Sequence, residues 1–472
     1  MAIYICSVCE YEFDEDHSES LWIDLPEDWV CPVCGSPRSF FEKAAAAAVP
    51  EVPLPAEFDT DAAASPEIEH LRRFHDEIET SMADIHAMAE TGESITEPMR
   101  TRKPTFSWDD LLFKGAQLAR VPLNSDEEVS TRTVIGPRAK RPLVIDTPIF
   151  ITHMSFGALS REAKMALARG SAAVNTAMCS GEGGILPDAI SAAHRYIFEY
   201  VPNRYSVTPE NLRRVDAVEI KIGQSAKPGM GGHLPGGKVT GEIAAIRGFP
   251  EGEAISSPAR FPDILDADSL KQKVDWLREA TEGRPVGIKL AAGNIEADLA
   301  VALAASPDFI TLDGRAGATG AAPKVVKAAA SVPTVFALYR ARKYLDAHQA
   351  GDISLVITGG LRLSSDVAKA LALGATAVAI GTAALMAIGC QQYKICNTGR
   401  CPMGIATQDP ALRAMLNVEK SARRLENFLR VSTEELKAFA RLTGNANVHG
   451  FSITDLCTVN SEISNHTTIE HV

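Results

Sequence analysis

Ser354-Leu355-Val356-Ile357-Thr358-Gly359-Gly360 and Ala377-Val378-Ala379-Ile380-Gly381-Thr382 are two short β-rich runs, with an Ala/Leu-rich stretch of helical length between them. Each run stops at glycine. The same unit recurs along the chain, and eight such runs can be counted: Pro148–Met154, Ala173–Met178, Tyr196–Val201, Ala217–Ile222, Pro285–Leu290, Asp308–Leu312, Ser354–Ile357 and Ala377–Ile380. Strands alternating with helices imply a parallel sheet. Eight units in about 230 residues match a closed (β/α)8 TIM barrel of the α/β class. A doubly wound open sheet competes, and the count of eight and the placement of the glycines favour the barrel.

Polar and glycine-rich segments follow the runs, at the strand ends where barrels place their sites. They are Met154-Ser155-Phe156-Gly157, Cys179-Ser180-Gly181-Glu182-Gly183-Gly184, Gly223 to Gly229, Asp313 to Gly320, Gly359-Gly360 and Gly381-Thr382. A phosphate needs converging backbone N–H groups, and glycine lets the backbone come close enough. Each glycine pair alone is ordinary turn chemistry. In barrel order, Gly317 to Gly320, Gly359-Gly360 and Gly381-Thr382 point to one phosphate site. Lys289 lies inside the apolar run Val286-Gly287-Ile288-Lys289-Leu290; a lysine directed into a barrel must be paired or functional. Lys221 is similar.

Lys and Arg number 47 and Asp and Glu 60, a net charge of −13. This acidity argues against nucleic acid as a partner. Met1–Cys6 carries no basic stretch followed by an apolar run, and no window of about 20 apolar residues occurs. A cytoplasmic location without membrane contact is expected, so the nine cysteines read as metal ligands or thiols before disulfides.

Cys6-x2-Cys9 and Cys31-x2-Cys34 can offer four thiolates to zinc or to a single iron. Cys390-x5-Cys396-x4-Cys401, followed by Pro402, reads as an iron–sulfur ligand set. Cys179 reads as a small buried thiol, and Cys457 receives no role. The expected organisation is an iron module over 1–42, a linker over 43–66 with the alanine run Ala44–Ala48, a helical lead-in over 67–148, the barrel with its cysteine loop over 149–445, and a tail over 446–472. Ile68, Leu71, Ile78, Met82 and Ile85 predict an amphipathic helix over Ile68–Glu90.

Residues 1–42 resemble rubredoxin through Tyr11, Phe13, Asp14, Leu25-Pro26, Asp28-Trp29, Cys31-Pro32, Cys34-Gly35 and Phe40. The resemblance implies one iron on four cysteines, with aromatics packed around it; zinc is the alternative. Glu10 departs from the glycine usual there.

Residues of roughly 105–445 resemble the FMN-binding synthase domain of glutamate synthases. The resemblance rests on Gln224 through Gly236, Lys238-Val239, Arg247, Met154 through Ser160, Gly181 through Gly184 and Gly389 through Gln408. It implies FMN at the barrel mouth, contacted by Met154, Ser155, Phe156, Ser180, Lys221, Gln224, Lys289, Gly317, Thr319, Gly359, Gly360, Gly381 and Thr382. It also implies a 3Fe–4S cluster on Cys390, Cys396 and Cys401. Lys289 would stabilise the reduced flavin, Lys227 and Arg247 would bind a dicarboxylate, and Glu182 would donate a proton or position a group. Met230 and His233 stand where this family carries Glu and Gln, and Ala316 to Gly320 and Pro202-Asn203-Arg204 also depart from its pattern. Cofactor contacts look retained and substrate contacts partly altered. The stand-alone synthase subunit of N-methylglutamate synthase is similar in length.

The implied activity is reductive amination of a 2-oxo acid, 2-oxoglutarate to glutamate. Electrons would come from the iron centres, a ferredoxin or a reductase. Ammonia or an amine would be supplied externally, since Met1-Ala2-Ile3 opens the chain where a full glutamate synthase has a nucleophilic cysteine. No Gly-x-Gly-x-x-Gly follows a strand to suggest a nicotinamide site. Three alternatives stay open: an N-methylglutamate-synthase-like enzyme, a flavin amine dehydrogenase passing electrons out through the rubredoxin module, and a non-catalytic redox carrier.

Overall fold

The computed structural model describes residues 3–9, 11–15, 18, 22–26, 28–43, 73 and 75–472. The chain divides into two compact units, Met1–Ala83 and Asp84–Val472.

In the first unit, Ile3–Cys6 pairs antiparallel with Glu12–Asp14 on one side and Phe41–Lys43 on the other. So short a chain has little apolar surface to bury, and its core is an aromatic cluster. Trp22 stacks on Tyr4 at 4.3 Å between ring centroids and meets Phe13, Trp29 and Phe41 at 5.0–5.6 Å. Phe40, read from the sequence with the core aromatics, is 47% exposed. The turn Arg38–Phe40 passes directly into the strand, and this turns Phe41 inward instead.

The second unit is a closed eight-stranded parallel barrel. Its strands are β1 (Ile149–Ile151), β2 (Ala177–Cys179), β3 (Arg195–Tyr200), β4 (Ala217–Lys221), β5 (Val286–Ala291), β6 (Phe309–Asp313), β7 (Ser354–Thr358) and β8 (Ala377–Ile380), and β8 closes on β1 through Ile380 opposite Ile151. All eight expected runs contain a strand. In the second run Ala173 caps the helix Arg161–Ala172 and a turn follows, in which Asn175 has a left-handed φ of 51°, so the strand begins only at Ala177.

Alternation along the strands sets the interior. Ile197, Ala217, Phe309, Val356, Ala377, Cys179 and Phe150 form an apolar floor, plugged by Ile135, Leu143 and Ile145 of a hairpin. Cys179 is therefore a core thiol. Gly287 belongs to this layer, and a Cβ there would overlap the Phe309 ring. One step up on the same parity come Glu199, Glu219, Lys289 and Thr311, and above them Lys221 and Asp313.

The lead-in holds less helix than expected. Helix Met82–Thr91 is preceded by bends and turns, in which the Asp76 carboxylate accepts the N–H groups of Ile78 and Glu79; the predicted positions Ile68 and Leu71 lie outside the described residues. The expected C-terminal tail packs on the barrel unit. Leu456–Thr458 pairs with Leu111–Phe113, and Ile463 and Ile469 are buried. Among the described residues no helix is long and apolar enough to cross a membrane.

Gly287→Val is expected to destabilise the barrel by about 1–3 kcal/mol, the usual cost of overpacking a core. Urea unfolding measures it, and an unchanged midpoint would mean that Phe309 moves aside freely.

Candidate active site

The charged layers open onto a cavity at the C-terminal ends of the strands. At its base, Lys289 Nζ is 3.7 Å from Glu199 Oε1, and both side chains are almost fully buried. His153, just past β1, lies between the carboxylates: Nε2 is within hydrogen-bond distance of Glu219 Oε2 at 3.0 Å, whereas Nδ1 is 3.7 Å from Glu199 Oε2. The Gly181 N–H donates to Nδ1 at 3.2 Å, so the ring proton is assigned to Nε2. The Thr311 hydroxyl donates to the other Glu219 oxygen. Burial presses the Lys289 ammonium toward neutrality, but the charges of Glu199, Glu219 and Asp313 outweigh it and raise its pKa. A cation is thus kept beneath the cavity. Asp313 is raised by burial, although the N–H and hydroxyl of Ser225 donate to it at 3.1 and 2.9 Å.

Higher up, Lys221 pairs with Glu182. Burial alone would raise the Glu182 carboxyl. The Lys221 charge and hydrogen bond, with help from Ser257 and Lys227, bring it down to about 2. Lys221 is raised in turn: burial opposes its charge, and Glu199 and Glu182 overcome that.

Lys227 and Arg247 come from the long excursion between β4 and β5. Lys227 Nζ donates to the Gly231 carbonyl at 2.8 Å, and Arg247 Nη2 to the Phe156 carbonyl at 2.8 Å. The Arg247 guanidinium lies 5.2 Å over the Tyr205 ring, and its buried Nε has no hydrogen-bond partner. Burial lowers the pKa of both cations. Neither has an ion-pair partner among the described residues. Gly183 makes room for Arg247; a Cβ there would come within 2.7 Å of Nη2.

The other expected contacts divide into two groups. Met154, Ser155, Gln224, Gly317, Thr319, Gly359, Gly360, Gly381 and Thr382 line this same cavity. Gly359 and Gly360 have φ of 108° and 95°, a region closed to most side chains. Phe156 and Ser180 lie behind the wall: Phe156 offers only its carbonyl to Arg247, and the Ser180 hydroxyl accepts the Glu199 N–H at 2.9 Å. Sequence reasoning missed His153, Glu199, Glu219 and Lys164. Lys164 donates to the carbonyls of Met154, Cys179 and Ser180 at 2.9–3.0 Å, tying the ends of β1 and β2 together, and burial lowers it to about 8. Its charge, on a helical face with Ala163 and Leu167, was the available signal.

Cys390, Cys396 and Cys401 line the cavity beside these residues. Gln392 Nε2 donates to Cys390 Sγ at 3.2 Å, and Lys238 Nζ to the Cys396 carbonyl at 2.7 Å. Only two groups among the described residues bring three or more ligand atoms within 4.8 Å of one another, and this trio is not one of them. It is too wide for one ion, whereas a cluster bonds each thiolate to a different iron. The two groups are Cys6, Cys9, Cys31 and Cys34, and His153, Glu199 and Glu219. In the first, Sγ–Sγ distances are 3.7 Å (Cys6–Cys34) and 3.5 Å (Cys9–Cys31). Metal–sulfur bonds of about 2.3 Å space tetrahedral sulfurs about 3.8 Å apart, so these fit a single ion. In the second group Glu219 is held by His153 and Thr311, whereas Glu199 Oε1 is buried without a hydrogen-bond partner and faces the Lys289 ammonium at 3.7 Å.

Residues 80–446 match the model of the conserved region in glutamate synthase, and residues 3–41 the rubredoxin model. A glutamate synthase large subunit-like protein of Rhizobium meliloti is 39% identical over 402 residues, covering 81% of this chain and 91% of that protein. An archaeal glutamate synthase [NADPH] of Methanocaldococcus jannaschii is 43% identical, covering 67% of this chain and 62% of that protein. Among solved structures, a flavocytochrome b2 with benzoylformate aligns with a TM-score of 0.48 at 16% identity, over 76% of this chain and 78% of that one.

A carboxylate whose folded pKa is depressed contributes stability that is present above its unfolded pKa and lost as pH falls through the folded one. For Glu182 that window runs from 4.5 down to about 2. The stability difference between the wild type and Glu182→Gln should therefore shrink on acidification through this window, as followed by thermal unfolding. A constant difference would mean that the pair with Lys221 does not hold the charge.

Proposed function

This chain belongs to the glutamate synthase family, and on that premise we propose that it is an FMN- and iron–sulfur-dependent oxidoreductase that reductively aminates a 2-oxo acid, with 2-oxoglutarate as substrate and glutamate as product. The observation that carries the reading is the pair Lys227 and Arg247. They are two desolvated cations that share only the more distant charge of Glu182 and form no direct ion pair among the described residues, one with an orphaned Nε, facing a single cavity. A buried cation needs an anion, and a dicarboxylate supplies one for each.

FMN, when bound, supplies the hydride that reduces the imine formed from the 2-oxo acid and ammonia with loss of water. Gly317, Thr319, Gly359, Gly360, Gly381 and Thr382 would hold its phosphate end, with Met154, Ser155, Gln224, Lys221 and Lys289 around the ring. Lys289 favours negative charge at the base of the cavity. Glu182 is ionised at neutral pH; it therefore positions groups through Lys221 and does not act as a general acid. Lys227, with its lowered pKa, is the group suited to hand a proton to the developing amine. Cys390, Cys396 and Cys401 would hold the 3Fe–4S cluster, and Cys6, Cys9, Cys31 and Cys34 one iron for single-electron supply.

A second reading concerns the amine. Next to Glu182 and Lys221 lies a separate cavity walled by Ile222, Met230, Phe261, Leu270 and Leu290. This apolar space favours an amine bearing an alkyl group, as in an N-methylglutamate-synthase-like enzyme.

Electron supply calls for a carrier that reaches the cysteine loop. Arg100, Arg102, Lys103, Arg362 and Lys394 line a cavity that adjoins Gly359, Gly360 and Gln392, with no carboxylate among its lining residues. On a chain of net charge −13, this face suits an acidic carrier such as a ferredoxin.

The protein, reduced anaerobically and then given 2-oxoglutarate and ammonium, should reoxidise its flavin and form glutamate; an unresponsive flavin in intact protein would sink the reading. Lys227→Met and Arg247→Met should each lower kcat/KM for the 2-oxo acid at least about 30-fold while flavin content is retained. Reduction by an acidic ferredoxin should slow as salt shortens the Debye length to about 10 Å at 0.1 M. A salt-independent rate would rule out the cationic face as its dock.

A further inference from the structure

We infer that Lys238 is the counter-charge of the cluster on Cys390, Cys396 and Cys401 and sets its reduction potential, an inference that rests on the cluster reading above. Lys238 ends the short turn Gly236–Lys238, and its side chain reaches the cavity that the three cysteines line. It is only 8% exposed. Its Nζ has one hydrogen-bond acceptor, the Cys396 carbonyl at 2.7 Å, although an ammonium has three protons to place. It forms no ion pair among the described residues, and the nearby groups able to become negative are the thiols of Cys396 and Cys401, once deprotonated as metal ligands. Gly399, with φ of 76°, keeps the path open; a Cβ there would lie 3.0 Å from Lys238 Cε.

Burying an ammonium against one carbonyl is unfavourable without an anion. Three thiolates bound to iron and sulfide provide that anion. When the cluster accepts one electron from a donor, no bond forms or breaks and its charge becomes one unit more negative. A fixed positive charge beside it stabilises that reduced form and raises the potential. Lys238 also belongs to the excursion that carries Lys227 and Arg247. The same side chain therefore pins the anion-binding segment to the cysteine loop, which makes Lys238 a positioning residue as well as an electrostatic one.

The test is a mediated reductive titration of the full-length holoprotein, following the cluster by electron paramagnetic resonance and the flavin by absorbance. Wild type, Lys238→Arg, Lys238→Gln and Lys238→Met are compared, with iron and flavin content measured for each. The neutral variants should show a cluster midpoint shifted to more negative values with the flavin midpoint little changed, and Lys238→Arg should stay close to wild type. If the neutral variants lose the cluster, Lys238→Arg should still hold it. An unchanged midpoint in neutral variants with full iron content overturns the inference, and so does equal loss of cluster from Lys238→Arg and Lys238→Gln. Wild-type protein without a cluster signal at the cysteine loop would instead refute the cluster reading itself.

Discussion

Inside a closed barrel every second side chain of each strand is committed to the interior, where no solvent balances its charge. In this chain that parity carries Glu199, Glu219, Lys221, Lys289 and Asp313 inward on four consecutive strands. A slip of one residue would turn all of them out against the helices. The apolar floor beneath them, with Gly287 yielding space to Phe309, fixes the height at which charge begins. His153 then completes the layer by giving its ring proton to Glu219 and accepting the Gly181 N–H. In the cavity floor Lys289 stays cationic because the carboxylates of Glu199, Glu219 and Asp313 surround it.

The walls follow a different logic. Lys227, Lys238 and Arg247 all arise from the excursion between β4 and β5, and each is desolvated without a direct ion pair among the described residues. The barrel floor pairs its charges internally, whereas this segment leaves its cations facing the cavity. Such an arrangement is unfavourable for an empty site and favourable once anions occupy it. All three line one cavity, and Lys238 reaches the Cys396 carbonyl of the cysteine loop.

The two cysteine sets differ in how closely the fold gathers their sulfurs. Paired Cys-x2-Cys knuckles bring four sulfurs within 4.8 Å, the geometry of one tetrahedral ion. The trio Cys390, Cys396 and Cys401 is spread more widely around the cavity at the C-terminal ends of the strands. The aromatic cluster around Trp22 supplies what core the small module has.

The number of strands, their order and the placement of glycine at their ends were legible in the sequence, because they follow from local periodicity and from φ values only glycine accepts readily. Lys289 and Lys221 were legible too, as charges inside apolar runs. The cysteine sets were legible from their spacing. Other features depended on which strands and loops meet. Glu199, Glu219 and His153 are far apart in the chain and acquire meaning only from the register of β1, β3 and β4. Lys164 and Lys238 look like surface lysines until packing removes their water. Phe41 replaced Phe40 because one residue of turn geometry reverses side-chain direction, and the predicted helix over Ile68–Glu90 reduced to Met82–Thr91 where the Asp76 carboxylate holds a bend ahead of it. Sequence by itself determined the architecture and the gathering of Cys6, Cys9, Cys31 and Cys34, since these rest on short-range pattern. Only the tertiary structure decided which charges are paired and which await an anion, since that depends on burial and on partners brought together across the barrel.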